Sequence, residues 1–193
     1  MITELLKTIP DKNEFFATTS HVFKKDVWEF CNQPEFKELT VVELGTSNGF
    51  STNILSYLFD NVITVNNNES KYAKEFNKDR TNITYLQFDL YKEQWPFAKG
   101  DVFFIDADHS YDGVMQDVSN ALNLKSDLEK KIFIFDDYGV SQYTQTVRLA
   151  VDTLVNNGVL EVLGYIGQAP GWSIDGTSER TMLHYEGIIC QEI

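Results

Sequence analysis

A chain of 193 residues, 42% hydrophobic and 23% charged, is long enough for one domain with a sizeable core. Its 16 Lys and Arg stand against 29 Asp and Glu, a net charge of -13 that repels polyanions and argues against nucleic acid as a partner. No apolar run approaches the roughly 20 residues that cross a bilayer, so no membrane span is expected.

Residues 1–39 read as a helical extension. Its apolar positions are Leu5, Leu6 and Ile9, then Val22, Phe23, Val27, Trp28 and Phe30, with Pro10 and Pro34 as punctuation. The start, MITELLKTIPDKNEFF, lacks the basic-then-apolar pattern of a secretory leader. The two cysteines, Cys31 and Cys190, have no neighbours at metal-ligand spacing. Reduced thiols and a cytoplasmic location are the expectation.

From residue 40 the pattern alternates. TVVELG predicts a strand and FSTNILSYLF a helix; NVITVN a strand and ESKYAKEFNKD a helix; NITYLQFD a third strand. DVFFID is a fourth strand, followed by a helix over about 110–124, and KIFIFDD a fifth, followed by a helix over about 142–156. VLEVLGYIG and RTMLHYEGIIC then read as two strands without a helix between them, an antiparallel hairpin at one edge. The α/β class follows: a doubly wound, mostly parallel seven-stranded sheet with that hairpin at its C-terminus, over residues 40–193. Ligands of such sheets bind beyond the carboxyl ends of the strands, where Glu43, Asn66, Asp89, Asp106, Asp136 and Asp137 fall.

The first strand runs into VVELGTSNGFST. Gly45 and Gly49 bracket a strand-to-helix turn, and glycine there allows positive φ and close approach of a ligand. Ser47 stands where a dinucleotide fingerprint needs its second glycine, and the Gly-Lys-Ser/Thr of a phosphate loop is absent. Glu43, two residues before Gly45, opposes a pyrophosphate and suits a cation.

This Glu-x-Gly-x-x-x-Gly motif, with the strand pattern and closing hairpin, resembles the class I S-adenosylmethionine-dependent methyltransferases, whose sheet is Rossmann-like. The resemblance covers roughly residues 40–193 and implies S-adenosylmethionine as cofactor. It places Gly45, Thr46, Ser47 and Gly49 along the methionine half, with Ser51 and Thr52 at the start of the next helix and Glu43 and Asp106 beside them. The family's ribose-binding acid at the end of strand two is here Asn66, an amide that lacks the stronger charged acceptor. Glu69 is the alternative acid. Asp89 falls where the family contacts the adenine region, or else caps a turn.

Strands four and five are expected neighbours about 4.8 Å apart, so Asp106, Asp136 and Asp137 would repel unless a cation joins them. Oxygen ligands suit Mg²⁺, or Ca²⁺ or Mn²⁺. Strand four ending in D-x-D and strand five in DDY resembles the macrocin-type, metal-dependent O-methyltransferases that act on sugar hydroxyls. That resemblance implies Asp106, Asp136 and Asp137 as metal ligands and Asp108 as general base; the neighbouring imidazole of His109 is the other candidate to take the proton. On the plainer reading, Ser110 caps the following helix and Asp108 and His109 only start it.

Substrate selectivity is expected from residues 1–39, with His21, Phe15, Phe16 and Trp28 as lid residues, and from the loop QAPGWSIDGTSE with Trp172, Gly167, Gly171 and Gly176. The expected function is methyl transfer to a hydroxyl of a small molecule, a sugar foremost, assisted by a divalent metal. The alternative is a non-catalytic binding module of the same fold. The partner is a small-molecule acceptor, with a homodimer as a way of completing the pocket.

Overall fold

The computed structural model describes residues 1–12, 14, 18–168 and 185–193. Its centre is a seven-stranded sheet in the order β3-β2-β1-β4-β5-β7-β6. The strands are β1 (Thr40–Leu44), β2 (Asn61–Asn66), β3 (Ile83–Gln87), β4 (Val102–Ile105), β5 (Ile132–Phe135), β6 (Leu160–Gln168) and β7 (Tyr185–Glu192). The first five are parallel, and β7 runs antiparallel to both β5 and β6. The doubly wound sheet with an antiparallel C-terminal hairpin is therefore the observed architecture.

The near-continuous apolar runs of the central strands reflect burial on both faces. In β4, Phe103 and Ile105 face a core layer closed by α5 (Tyr111–Leu122) and α6 (Leu149–Asn156). Val102 and Phe104 face the opposite layer, closed by α2 (His21–Cys31) and α3 (Phe50–Leu58). Successive strand residues point to opposite faces, so each strand feeds both layers.

The described residues before β1 include a helix that packs on the sheet. After a short helix α1 (Ile2–Leu5), Ser20 caps α2 by accepting from the Phe23 amide. Helix α2 packs on β6 and α3 through Phe23, Val27, Trp28 and Cys31, all buried. Phe23 meets Phe104 edge-on at 5.9 Å. Burying each such side chain stabilises the fold by about 1.5–3 kcal/mol. Gly187 in β7 leaves the room, since a Cβ there would sit 2.4 Å from the Phe23 ring and 2.3 Å from the Phe135 carbonyl oxygen.

Two expected helices are shorter or less regular than their patterns suggest. Helix α4 spans only Lys71–Phe76, because Asn77 ends it: its side-chain amide donates to the carbonyls of Ala73 and Gly49. The stretch expected as one helix over 142–156 begins as a 3-10 turn, Ser141–Tyr143, and a π-helical turn, Thr144–Arg148, before α6. Gln142 and Tyr143 of the 3-10 turn line the cleft described next.

Candidate functional site

The ends of β1, β4 and β5 meet at one rim. Leu44 pairs with Ile105, the Asp106 amide donates to the Leu44 carbonyl at 2.9 Å, and the Asp136 amide donates to the Ile105 carbonyl at 3.2 Å. Gly45 turns away from β1 at φ 103°, and a Cβ on it would lie 2.0 Å from the Asp106 carbonyl oxygen. Only glycine fits this crossing. Ser47 follows at φ 44° and Gly49 at φ 77°. Beyond the rim opens a cleft of about 700 Å³, within the usual range of small-molecule sites, about 300–1,000 Å³.

The residues predicted to bind cofactor divide into two sets. Gly45, Ser47, Asn66, Asp89 and Asp106 line the cleft. Glu43, Thr46, Gly49 and Ser51 do not, and their work lies behind the loop. The Glu43 carboxylate is buried and accepts from the hydroxyls of Thr52 and Thr64, while Thr46 bonds Thr64 at 2.7 Å. Burial pushes the Glu43 carboxyl up to about 8, partly offset by the two hydroxyls. Gly49 makes room for α4, since a Cβ there would lie 2.6 Å from that of Ala73. Ser51 lines a separate small cavity with Thr19, Phe23 and Lys24.

At the β2 end, Asn66 is joined in the cleft wall by Asn67 and Asn68, and its amide donates to the Asn68 carbonyl at 3.2 Å. Glu69 is not in the wall; it pairs with Lys71 at 3.3 Å. Asp89 both lines the cleft and orders its own turn, accepting from Lys92 at 2.7 Å and from the Tyr91 amide at 3.1 Å. The Lys92 hydrogen bond holds the Asp89 carboxyl below its ordinary value.

The acidic end of the cleft is organised by His109 and Lys12. His109 Nε2 lies 3.3 Å from Asp106 Oδ1 and 3.2 Å from Asp137 Oδ2, and its ring packs on Tyr143 with centroids 4.5 Å apart. Burial alone would lower the His109 pKa; the Asp106 hydrogen bond and the charges of Asp137 and Asp106 outweigh it and raise it. Burial, with repulsion from Asp137, raises Asp106 despite its bond to His109. Lys12, from the N-terminal segment, places Nζ 3.2 Å from Asp137 Oδ1 and 2.9 Å from Glu186 Oε1. Glu186 in turn accepts from the Ser20 amide, 3.1 Å from each of its oxygens.

Asp108 lines the cleft but is engaged with the start of α5. It accepts from the Ser110 amide and hydroxyl, both at 3.0 Å, and Ser110 caps the helix through the Gly113 amide. The helix-start reading thus describes Asp108, while His109 faces the acids.

Of the three carboxylates expected as metal ligands, Asp106 and Asp137 come together with His109. Among the described residues, the ligand atoms that lie within 4.8 Å of one another belong to Asp106, His109 and Asp137. Asp136 is outside that set; it is buried, its Oδ1 has no hydrogen-bond partner, and burial raises its pKa well above the ordinary value. The two residues differ because Asp137 turns into the left-handed region, φ 58°. Lys12 already brings a positive charge to Asp137, and His109 Nε2 meets the other oxygen of that carboxylate. The remaining imidazole and two carboxylates form a mixed donor set, unlike the all-oxygen shell of Mg²⁺ or Ca²⁺.

Lys12, Tyr143 and Glu186 were not foreseen from the sequence. Glu186 had a signal: a carboxylate inside the apolar run HYEGIIC requires a buried partner. Of the expected lid residues, Trp28 is in the core and His21 bonds the Ile9 carbonyl at 2.7 Å. Phe15, Phe16, Gly171, Trp172 and Gly176 lie outside the described residues; Gly167 donates its amide to Asp26 at 2.8 Å. Both cysteines are buried and free. Among the described residues no helix is long and apolar enough to cross a membrane.

A family model described as a methyltransferase domain matches residues 42–138, half of the chain, from the glycine turn through Asp137. The chain belongs to that family. An uncharacterized protein of Acanthamoeba polyphaga mimivirus is 27% identical to this methyltransferase domain protein over 160 residues, 75% of this chain and 72% of the viral one. Among solved structures, precorrin-6y C5,15-methyltransferase from Geobacter metallireducens matches with a TM-score of 0.66 at 14% identity, covering 97% of this chain and 96% of that one. N-methyltransferase NodS from Bradyrhizobium japonicum, in complex with S-adenosyl-L-homocysteine, gives 0.66 at 11% identity over 99% and 96%. Fibrillarin from Aeropyrum pernix, with natively bound S-adenosyl-L-methionine, gives 0.57 at 15% identity over 88% and 74%. At such identities the likeness is one of fold.

Proposed function

We propose that this methyltransferase domain transfers a methyl group from S-adenosylmethionine to a hydroxyl of a small, polyhydroxylated acceptor such as a sugar. One observation carries the reading: a single cleft runs from the glycine turn, Gly45 and Ser47, past Asn66 and Asp89 to Asp106, His109 and Asp137. A seat for a nucleoside and a set of proton-accepting groups therefore share one opening.

The residues suit that cofactor. The Gly45–Ser47 turn exposes backbone to the cleft, Asn66 offers an amide to sugar hydroxyls, and Asp106 presents negative charge at the neighbouring strand end. When bound, S-adenosylmethionine supplies an electrophilic methyl group on a cationic sulfur and leaves as a neutral thioether. The chain has to hold the acceptor in line and remove its proton as the new O–C bond forms.

That proton goes to the Asp106–His109–Asp137 trio. His109 Nε2 sits between two carboxylate oxygens, so it carries a hydrogen there. Tyr143 fixes the ring orientation from the other side. Asp108 serves by starting α5 and thereby placing His109.

Asn66 favours a second reading, a binding module without turnover, since the amide is a weaker ribose partner than a carboxylate. Calorimetric titration with S-adenosylhomocysteine tests the seat common to both readings. Micromolar binding is expected; no heat at millimolar ligand contradicts the cofactor assignment. Methyl transfer from labelled cofactor to a panel of sugars, catechols and amines then divides enzyme from module. Labelling confined to amines contradicts the hydroxyl acceptor.

A further inference from the structure

We propose that Lys12 is the resident cation of the reaction centre, a positioning residue that holds the Asp137 carboxylate against His109 so that methyl transfer needs no divalent metal ion. This rests on the methyl-transfer reading and adds to it what neutralises the acid cluster.

The geometry is a continuous row. Glu186 and Asp137 share the Lys12 ammonium at 2.9 and 3.2 Å; the other oxygen of Asp137 meets His109 at 3.2 Å; His109 meets Asp106 at 3.3 Å. The Lys12 side chain is 6% exposed. A lysine so buried is rare unless carboxylates surround it.

The segment that brings Lys12 is fastened on both sides. Asp11 accepts from the His21 amide at 2.8 Å, His21 bonds the Ile9 carbonyl, and Glu186 grips the Ser20 amide while it grips Lys12. Glu186 is 1% exposed and sits in β7, so the fastening reaches the sheet itself. Asp137 keeps a left-handed backbone, which a non-glycine residue adopts only where its surroundings hold it. Lys12 and His109 hold its two oxygens.

A lysine differs from a metal ion here in one decisive respect. An ammonium donates hydrogens to carboxylates but has no open coordination position for an acceptor oxygen. Lys12 therefore works through Asp137, and the proton of the acceptor is left to the trio. It also blocks metal entry, because a fixed positive charge stands among the oxygens that a cation would need.

The test uses Mn²⁺ alone as probe, titrated into the wild-type chain and into Lys12→Ala and Lys12→Arg, with S-adenosylhomocysteine binding measured on the same samples. The wild type and Lys12→Arg should show no Mn²⁺ binding below millimolar. Lys12→Ala should bind Mn²⁺ at least about 1,000-fold more tightly, the factor for removing one unit charge about 4 Å from another at an effective dielectric constant near 20. Retained S-adenosylhomocysteine binding marks a folded chain, and a merely structural lysine would not create a metal site when removed. Micromolar Mn²⁺ binding by the wild type overturns the proposal, and so does a folded Lys12→Ala chain with no gain. If Lys12→Ala does not fold, the wild-type and Lys12→Arg titrations decide. If no chain binds S-adenosylhomocysteine, the methyl-transfer reading fails while the Mn²⁺ comparison still judges whether Lys12 holds the acids.

Discussion

Glu43→Gln probes the support of the glycine turn through its pH dependence. Glu43 is 1% exposed. Burial pushes its carboxyl up to about 8, the hydroxyls of Thr52 and Thr64 offset part of that, and Asp106 adds repulsion. The ordinary value, which the unfolded chain restores, is 4.5. Between these two values the folded protein holds a proton on Glu43 that the unfolded chain has lost. Stability therefore falls as pH rises, by up to about 1.4 kcal/mol per pH unit and by about 3 to 4 kcal/mol in all from pH 5 to pH 8. Glutamine keeps the shape and cannot ionise. Urea unfolding followed by tryptophan fluorescence at several pH values should show the variant gaining on the wild type by that amount as pH rises to 8. A constant offset between the two curves would refute the reasoning, because it would mean that folding does not change the proton affinity of Glu43.

Gly45→Ala places a Cβ 2.0 Å from the Asp106 carbonyl oxygen at φ 103°; a destabilisation on the order of 3 kcal/mol or more is expected in thermal unfolding, with loss of S-adenosylhomocysteine binding. His109→Ala should lower turnover by about 100- to 10,000-fold, whereas Asp108→Asn, which can still accept from Ser110, should change it by no more than about 10-fold. Because the acids raise the His109 pKa, the imidazole keeps its extra proton to higher pH than usual, and the rate should climb as pH passes through that raised value. A flat profile across the neutral range contradicts the trio's role. Asn66→Asp adds a charged acceptor at the β2 end and should tighten S-adenosylhomocysteine binding about 10-fold by calorimetry; unchanged affinity would separate Asn66 from the ribose.

The sheet was legible because its strands are apolar on both faces. IFIF and VFFI leave no doubt about burial, and the acids that end them mark the functional rim. The closing hairpin was legible from the missing helix between two strand-like runs. The helix after β5 was not: Gln142 to Arg148 has no proline or glycine to announce its 3-10 and π turns. The sequence showed an excess of negative charge at the rim but not its answer. Lys12 lies 125 positions from Asp137 and 174 from Glu186, and only folding brings them together. Asp136 and Asp137 are indistinguishable as letters; the left-handed turn at Asp137 decides which one meets His109. The glycine motif likewise mixed two roles, Gly45 opening onto the cleft and Gly49 making room for a helix.

A crystal structure of the protein with S-adenosylhomocysteine tests the central claim most directly. The nucleoside should lie along Asn66 and Asp89, the amino-acid half against Gly45 and Ser47, and the sulfur should face the Asp106–His109–Asp137 trio across the cleft. A ligand seated away from the glycine turn, or one whose sulfur points away from the trio, would contradict the account.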